Sequence, residues 1–357
     1  MELGKFKRGS KVKKGGPMIR IAQIGCGYWG PNLLRNFIDL SNVEISCVAE
    51  ISQERRNYIK EKYPNLYVVS DYNNIFSNRT DAVVIATPAE SHYQLAKKML
   101  SNGMHCLVEK PLALKASEAE ELINLAKENN RVLMVGHTFL FNAAVRRLRE
   151  EVKRGTLGRI YYIYSQRLNL GRVRTDVNVM WNLAPHDISI LLYVLNEDPV
   201  WVRAYGEKYI QENIEDVVFL TIGFASGVVA NIHVSWLDPN KVRRMTFVGS
   251  KKMIVYDDVE KNKIQIFDKG IDKKSMNKTL GEFDTFGKFQ LIKRAGSVVC
   301  PSIDFVEPLA VEAEHFVECI ENKQKPISDG YHGFVVTKIL ETAMQSIKNE
   351  GDRIELS

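Results

Sequence analysis

Long apolar runs are missing from this 357-residue sequence, and no stretch approaches the roughly 18 consecutive apolar residues of a membrane-spanning helix. We therefore expect no transmembrane segment and no membrane partner. The first 17 residues also lack the apolar core of a secretory signal peptide. No internal repeat and no low-complexity stretch follows them, which argues against a repeat architecture.

Cysteine is scarce: the five cysteines are odd in number and widely scattered, and most lie in apolar, strand-like stretches. This distribution argues against a disulfide framework and favours the reduced thiols of a cytoplasmic protein. No Cys-x-x-Cys pair occurs, so we expect neither a structural zinc site nor any other bound metal.

The excess of positive charge is concentrated at the start of the chain. The formal net charge is +6, but residues 1–17 hold six basic residues against Glu2, so the other 340 residues carry only +1. A nearly neutral body argues against nucleic-acid binding. Residues 1–17 are expected to form a basic, disordered tail, with contact to acidic surfaces as the alternative.

The length suits two domains of roughly 100–200 residues each. Over residues 18–138, short apolar strands alternate with helices, which predicts a Rossmann domain, an α/β fold with a doubly wound parallel sheet. The predicted strands are 19–25, 44–49, 66–69, 82–86, 105–108 and 132–135, with helices at 91–102 and 115–129.

Strands cluster together after residue 138, which predicts an α+β domain over 139–357 with an open, mainly antiparallel sheet. We expect this domain to bind substrate. A sheet face without helices needs another cover, most simply a second copy, so we expect a homodimer or homotetramer. The predicted strands are 160–168, 201–208, 216–224, 228–237, 242–249, 253–256 and 263–267, with helices at 143–154, 181–195, 306–322 and 331–349.

A glycine motif follows the first predicted strand. Gly25, Gly27 and Gly30 have the Gly-x-Gly-x-x-Gly spacing, a helix-compatible stretch follows, and Glu50 ends the second strand 20 residues later. In a dinucleotide-binding unit these glycines permit a tight turn, close approach of a pyrophosphate, and helix–strand packing. The helix N-terminus then holds the pyrophosphate. A glycine-rich structural turn is the alternative.

Glu50 is placed to accept hydrogen bonds from the adenosine ribose, which favours NAD as the cofactor. Arg55 and Arg56 follow closely and could accommodate a 2′-phosphate, so NADP stays open. Tyr28 and Trp29 lie inside the glycine loop. They either anchor the loop by packing or border the nicotinamide pocket.

Two further buried strands end in candidate site residues. Thr87 and Pro88 are expected to line the dinucleotide site, whereas His92 either contacts the cofactor or packs and caps locally. Glu109 and Lys110 end the next strand. A partly desolvated lysine beside a cationic nicotinamide is suited to acid–base chemistry, and a solvated surface pair is the alternative.

Asn182 and His186 are four residues apart, so they share one face of the helix predicted there. A polar pair on an apolar helix indicates a pocket, and a satisfied core histidine is the competing interpretation. The stretch before this helix carries arginines that could pair with a diphosphate, unless it is a solvated loop. The candidate substrate residues there are Arg167, Asn169, Arg172 and Arg174.

These motifs together resemble the Gfo/Idh/MocA oxidoreductase family over about residues 18–357. The matching pieces are the glycine motif, Ala86-Thr87-Pro88 with His92, Glu109-Lys110-Pro111, Gly136-His137, the helix with Asn182 and His186, and residues 304–316 and 326–330. The resemblance implies hydride transfer between a nicotinamide cofactor and a sugar or cyclitol carbon. It also implies that Lys110 lies against the reacting hydroxyl and that His186 takes part in proton transfer.

One position departs from the family pattern: many members have aspartate where this chain has Asn182. Asparagine can orient His186 but offers no negative charge to stabilise an imidazolium. The resemblance favours an NAD(P)-dependent dehydrogenase acting on a nucleotide-linked amino sugar, at C3 by analogy with members of that kind. The alternatives are a dehydrogenase of a free sugar or cyclitol, an NAD-dependent glycosidase, and a non-catalytic dinucleotide-binding regulator.

Overall fold

The computed structural model describes residues 18–171, 173–271, 293–294 and 296–356. The predicted tail over 1–17 and Arg172 lie outside the described residues. The chain divides into two compact units, the first formed by residues 18–138 and 307–337 and the second by residues 139–306 and 338–356.

The first unit contains a six-stranded, fully parallel sheet in the order β3-β2-β1-β4-β5-β6. The prediction of a doubly wound parallel sheet is confirmed. The strands are β1 Ile19–Ile24, β2 Val43–Ala49, β3 Val68–Val69, β4 Ala82–Ile85, β5 His105–Glu109 and β6 Leu133–Gly136, and the helices are α1 Gly30–Ile38, α2 Gln53–Lys62, α3 Ala89–Ser101 and α4 Ala116–Glu128. Short 3₁₀ turns cover Tyr72–Ser77 and Thr138–Phe141.

Burial on both faces explains the continuous apolar strands of this sheet. All four residues of β4 are fully buried, and Val83 and Ile85 belong to a core that also includes Leu95 and Leu122 of the covering helices. The direction of strand order reverses at β1 and β4, which are neighbours. Open α/β sheets bind their ligands at this point, beyond the carboxyl ends of the strands.

The first unit also includes a helix from the end of the chain, α7 Pro308–Asn322. Phe316 packs edge-to-face on Phe37 of α1 at 6.2 Å between ring centroids. Arg35 of α1 pairs with Glu307 at 2.5 Å. The predicted division at residue 138 assigned this helix to the second domain. The structure groups residues 307–337 with the first unit, because their apolar side chains pack there.

The second unit contains a nine-stranded mixed sheet in the order β16-β13-β12-β11-β7-β10-β9-β8-β17. Only the β7–β10 pair is parallel within it. The strands are β7 Ile160–Leu168, β8 Pro199–Glu207, β9 Val217–Phe224, β10 Val229–Ser235, β11 Val242–Gly249, β12 Met253–Asp257, β13 Ile264–Phe267, β16 Val298–Val299 and β17 Ile354–Glu355, and a two-stranded sheet pairs β14 Gly270–Ile271 with β15 Lys293–Arg294. This arrangement confirms the predicted open, mainly antiparallel sheet.

Helices α5 Ala143–Lys153 and α6 Val179–Leu195 belong to the second unit, and α8 Gly330–Lys348 begins in the first unit and ends in the second. Helix α6 packs on β7, β9 and β10. The opposite sheet surface carries exposed, mostly aromatic side chains, which we call the aromatic face: Tyr162, Tyr164, Tyr205, Phe219 and Val229. None of the described helices has the length and apolar character needed to span a membrane.

Candidate active site

The glycine loop joins β1 to α1 in the first unit, and its three glycines have different surroundings. Gly25 has φ of +90°, and a Cβ there would lie 2.5 Å from the carbonyl oxygen of Ala86. A Cβ on Gly30 would lie 2.5 Å from the carbonyl oxygen of Gly25. A Cβ on Gly27 would meet no described atom within 4 Å. Two glycines therefore serve the fold, and Gly27 leaves open space where a pyrophosphate would approach.

Gln23 holds this loop and was missed by the sequence analysis. It is buried in β1, and its Nε2 donates to the carbonyl oxygens of Gly25 and Gly30, each at 2.9 Å. These bonds close the turn from within the sheet. The available signal was a glutamine inside the otherwise apolar run Ile21–Ile24.

Glu50 lies at the end of β2 with its side chain buried against the loop. Its Oε2 accepts from the backbone N–H of Cys26 at 2.6 Å, and its Oε1 accepts from that of Ser52 at 2.8 Å. A carboxylate offers about four acceptor positions, so two remain for ribose hydroxyls. Arg56 donates to the carbonyl oxygens of Glu50 and Ile51, each at 2.7 Å. This guanidinium is thus already engaged by its own backbone.

The two aromatic residues of the loop differ in role. The side chain of Trp29 lies close enough to the Glu109 carboxylate to lower its pKa, which brings the loop near the end of β5. This contact favours the anchoring interpretation for Trp29. Tyr28 is 84% exposed, and its place beside a nicotinamide stays a prediction.

His92 is buried near the start of α3 and bridges two backbone carbonyls. Its Nδ1 lies 2.7 Å from the carbonyl oxygen of Pro111, and its Nε2 lies 2.9 Å from that of Thr87. Burial lowers the pKa of the imidazole, although both carbonyls oppose that shift. These contacts support the packing interpretation of His92. Thr87 accepts from the hydroxyl of Ser91 at 2.7 Å, and exposed Pro88 precedes α3.

Glu109 and Lys110 lie at the carboxyl end of β5, beside the strand-order reversal. The Lys110–Pro111 peptide bond is cis. Oε1 of Glu109 is buried, and Oε2 accepts from the backbone N–H of Lys110 at 3.2 Å. Burial raises the pKa of Glu109 to about 7, while the Lys110 charge opposes the shift. The Glu109 carboxylate is therefore not part of a fully solvated surface pair.

In the second unit, Asn182 and His186 lie on one face of α6, both partly exposed in an otherwise mostly buried helix. Oδ1 of Asn182 accepts from the indole N–H of Trp236 at 3.2 Å. The His186 ring packs edge-to-face against Phe139, with 5.0 Å between centroids. The pair is therefore arranged as the four-residue spacing predicts, and each member has a defined neighbour.

Arg167 has a different environment from the one predicted for it. It is buried on β7, and its Nε lies 2.5 Å from Oδ2 of Asp187, whose Oδ1 accepts from the Ser165 hydroxyl at 2.7 Å. The guanidinium also covers the Phe139 ring at 4.7 Å. Asp187 is enclosed and needs a counter-charge, so Arg167 serves the interior of this unit rather than a diphosphate.

The other predicted substrate residues are less enclosed. Arg174 pairs with Asp176 near the surface. Asn169 follows β7, and its backbone N–H donates to the carbonyl oxygen of Ser235 at 3.2 Å. A substrate contact by Arg174, Asn169 or Arg172 stays a prediction, and Arg172 lies outside the described residues.

The parallel sheet, the glycine turn into α1 and the carboxylate at the end of β2 define a dinucleotide-binding Rossmann unit. Comparison with family models narrows this class. Residues 19–137 match the oxidoreductase family with an NAD-binding Rossmann fold, and residues 145–255 match the GFO/IDH/MocA C-terminal domain. The chain belongs to the Gfo/Idh/MocA family of oxidoreductases, and its first unit is the NAD-binding domain.

Among curated relatives, the UDP-N-acetylglucosamine 3-dehydrogenase of Acidithiobacillus ferrooxidans is 31% identical over 191 residues, 53% of this chain and 59% of that protein. The myo-inositol 2-dehydrogenase of Thermotoga maritima is 23% identical over 269 residues, 72% of this chain and 80% of its own. The matched part of this chain therefore covers 59% of the length of the Acidithiobacillus ferrooxidans relative.

Solved structures share the fold along nearly the whole chain. The Acidithiobacillus ferrooxidans enzyme gives a TM-score of 0.77 at 23% identity and covers 93% of this chain and 98% of its own. The WlbA dehydrogenase of Bordetella pertussis, solved with NADH and UDP-GlcNAcA, gives 0.79 at 19% identity and covers 96% and 98%. At these identities the likeness shows the fold alone.

Proposed function

We propose that this protein is an NAD-dependent dehydrogenase that oxidises a secondary hydroxyl of a sugar, and that the sugar is a nucleotide-linked amino sugar oxidised at C3. The observation that carries the proposal is the placement of Lys110. It lies at the carboxyl end of β5, beside the strand-order reversal and a glycine loop that fits a pyrophosphate. A basic residue at this edge of the sheet is suited to accept the proton of a reacting hydroxyl.

Bound NAD would supply the hydride acceptor. The chain itself must bind and orient the cofactor and hold the proton that leaves the hydroxyl. Gly27 and Glu50 would hold the pyrophosphate and the ribose, and the Glu50 carboxylate disfavours a 2′-phosphate. Lys110 would accept the hydroxyl proton as general base.

Asn182 and His186 would orient the sugar in this proposal. The indole N–H of Trp236 donates to the amide oxygen of Asn182. The amide nitrogen of Asn182, with its two donor hydrogens, therefore lies on the other side of the group. His186, on the same face of α6, would offer a hydrogen bond to a sugar hydroxyl. Since Asn182 carries no charge to stabilise an imidazolium, the proton is assigned to Lys110.

The choice of a nucleotide-linked amino sugar rests on the UDP-N-acetylglucosamine 3-dehydrogenase relative. It does not rest on Arg167, whose charge is engaged by Asp187. A free sugar or cyclitol is the second candidate, favoured by the myo-inositol 2-dehydrogenase relative, which matches a longer part of this chain.

The test is a spectrophotometric screen for NADH formation, with NAD and NADP each paired with UDP-N-acetylglucosamine, free N-acetylglucosamine and myo-inositol. We expect the largest rate with NAD and the nucleotide sugar. Lys110→Met should lower kcat by about 100-fold or more, the lower end of the range for a lost general base. Lys115→Met, a change to an exposed lysine, should leave the rate unchanged.

A higher rate on myo-inositol than on the nucleotide sugar would replace the first candidate by the second. Product formation without net NADH would indicate a retained cofactor, as in NAD-dependent glycosidases. No turnover of any sugar with either cofactor, from protein that binds NAD, would contradict the proposal.

A further inference from the structure

The first unit contains a cavity at the amino end of its parallel sheet, the edge opposite to Lys110. His105 and Leu133, the first residues of β5 and β6, line it. All of its lining residues belong to the first unit. Its volume of about 870 Å³ is within the range of small-molecule sites. The reaction proposed above does not use this space.

Positive charge is concentrated around this cavity. Its charged lining residues are the four basic residues Lys127, Arg131, Lys323 and Lys325 and the single acidic residue Asp329. Lys325 pairs with Asp329 at 2.7 Å. Among the described residues, no carboxylate lies within ion-pair distance of the other three basic residues. Three uncompensated cations around one cavity favour an anionic ligand, since the chain after residue 17 carries only +1 in total.

Two hydrogen-bond donors face each other in this cavity. The backbone N–H of Val132 donates to Nδ1 of His105 at 2.9 Å, so Nδ1 holds a lone pair. The proton of this imidazole is therefore on Nε2. Nη1 of Arg131 lies 3.4 Å from that Nε2, and guanidinium nitrogens are donors only. Neither N–H group can serve the other, and an oxygen acceptor beside them would satisfy both.

The charge state of His105 agrees with this assignment of its proton. Burial and the charge of Arg131 lower the pKa of His105 to about 4, although Asp81 opposes the shift. The imidazole is therefore neutral near pH 7. The carboxylate of Asp81 accepts from the backbone N–H of Arg20 at 2.9 Å. Arg131 thus supplies the charge at this point, and His105 supplies a neutral donor.

The rest of the cavity wall is largely apolar. Ile123, Ala126, Leu133 and Ile320 line it, and the half-exposed ring of Tyr331 borders it. A ligand that fills the cavity therefore needs an apolar part as well as an anionic group. The guanidinium fork matches phosphate oxygens, and lysines add point charges around them.

We propose that this cavity binds a small organic phosphate, whose phosphate group accepts from His105 and Arg131 and whose organic part lies against the apolar wall. The inference does not depend on the proposed dehydrogenase function. The site is also separate from the dinucleotide site, because β5 carries the chain from this cavity to Glu109 at the opposite edge of the sheet.

Two of the lysines also lie at helix ends, where a cation complements the helix dipole. Lys127 is in the last turn of α4, and Lys323 follows α7. Lys323 has a φ of +51°, a left-handed conformation in which helices usually place glycine. Lys60 lies in the last turn of α2 and does not line the cavity, so it provides a matched control.

The first test is calorimetric titration of the full-length protein, with saturating NAD present to occupy the dinucleotide site. The probes are phenyl phosphate, which has an apolar ring, and inorganic phosphate. Phenyl phosphate should bind with a Kd at least about tenfold lower than that of inorganic phosphate. Arg131→Gln should raise this Kd about tenfold or more, as for a lost charge-assisted hydrogen bond. Lys60→Gln should leave it unchanged.

Lys323→Gly removes a charge and keeps a residue suited to the left-handed backbone, so it should fold normally and still weaken binding of phenyl phosphate. The inference fails if phenyl phosphate does not bind at millimolar concentration. It also fails if saturating NAD abolishes binding, if inorganic phosphate binds equally well, or if Arg131→Gln and Lys60→Gln have the same Kd as wild type.

The second test observes His105 directly. Nitrogen-15 NMR of the full-length protein should show one His105 ring nitrogen protonated and the other unprotonated at pH 7, with the signals assigned by their loss in His105→Gln. Phenyl phosphate should shift the Nε2–H signal in wild type and not in Arg131→Gln. A proton on Nδ1, or an Nε2–H signal that phenyl phosphate leaves unmoved, would overturn the assignment.

Discussion

Gly27 and Gly30 belong to the same short loop, yet a side chain at each would meet different neighbours. Gly30 lies against the carbonyl of Gly25 and the amide of Gln23. Gly27 faces open space beside the N-terminus of α1. Substitutions at Gly30 and Gly27 therefore distinguish the folding of the loop from its binding of a cofactor.

Gly27→Ala should leave the free energy of unfolding within about 0.5 kcal/mol of wild type, since no described atom is displaced. It should raise the Kd for NAD by at least about tenfold, or about 1.4 kcal/mol, because a methyl group would occupy the pyrophosphate approach. Calorimetric titration with NAD and denaturant unfolding measure the two quantities.

The matched control is Gly30→Ala, whose Cβ would lie 2.5 Å from the carbonyl oxygen of Gly25. Overpacking of this kind costs about 1–3 kcal/mol of unfolding free energy. Unchanged NAD affinity in Gly27→Ala would mean that the pyrophosphate does not approach this residue.

Single residues also mark where the sequence analysis succeeded and where it fell short. The glycine spacing located the tight turn because that chemistry is local. The partner of Arg167 could not be foreseen, since Asp187 reaches it only after β7 and α6 pack together. The burial of Glu312 could not be predicted from the sequence, because it depends on α7 lying in the first unit.

Among the secondary-structure elements, the aromatic face of the second sheet stands out. It lies on β7, β8, β9 and β10, and Phe219 stacks on His233 across β9 and β10 at 4.3 Å between centroids. Phe219 is 44% exposed and Tyr205 is 51% exposed. A contiguous apolar patch of this kind is typical of a protein–protein contact, so the expectation of a homodimer or homotetramer stays our prediction.

Phe219→Glu should weaken self-association, because an uncompensated charge buried in an interface costs about 3–5 kcal/mol per site. Sedimentation velocity should show a shift to smaller species at the same protein concentration. Tyr67→Glu, at an exposed aromatic of the first unit, serves as the control and should leave the distribution unchanged. A wild-type protein that sediments as a monomer at all concentrations would refute the prediction.

Most strands and helices were predictable because their patterns are local. Strand β7 spans Ile160–Leu168 and β11 spans Val242–Gly249, as the sequence predicted. The ends of other elements differ from the predicted ones by one or two residues, because apolar periodicity does not mark the exact boundary. Asn178, for example, caps α6 through its side chain, so the helix begins at Val179, before the predicted start.

Across the whole molecule, the chain returns to its first unit after building most of the second. Helix α7 comes near the end of the sequence, yet Phe316 packs on Phe37. The two units are therefore discontinuous in sequence, and the stability of the NAD-binding domain depends on residues near the chain's end.

Phe316→Ala should cost about 3–5 kcal/mol, as for other buried phenylalanines. Hydrogen exchange should accelerate first in α1, α7 and the parallel sheet. Phe247→Ala, at a buried position in β11, should accelerate exchange in the second sheet instead. Faster exchange confined to residues 139–306 in Phe316→Ala would contradict the assignment of α7 to the first unit.

The sequence by itself determined the parallel sheet, the glycine loop, Glu50 and the shared face of Asn182 and His186, because short spacings encode them. Only the tertiary structure decided which groups meet across long separations. It enclosed Arg167 with Asp187, and it placed Glu312 of a distant helix near Glu109. Burial and charge act through space, so the proton chemistry proposed for Lys110 becomes visible only in the folded chain.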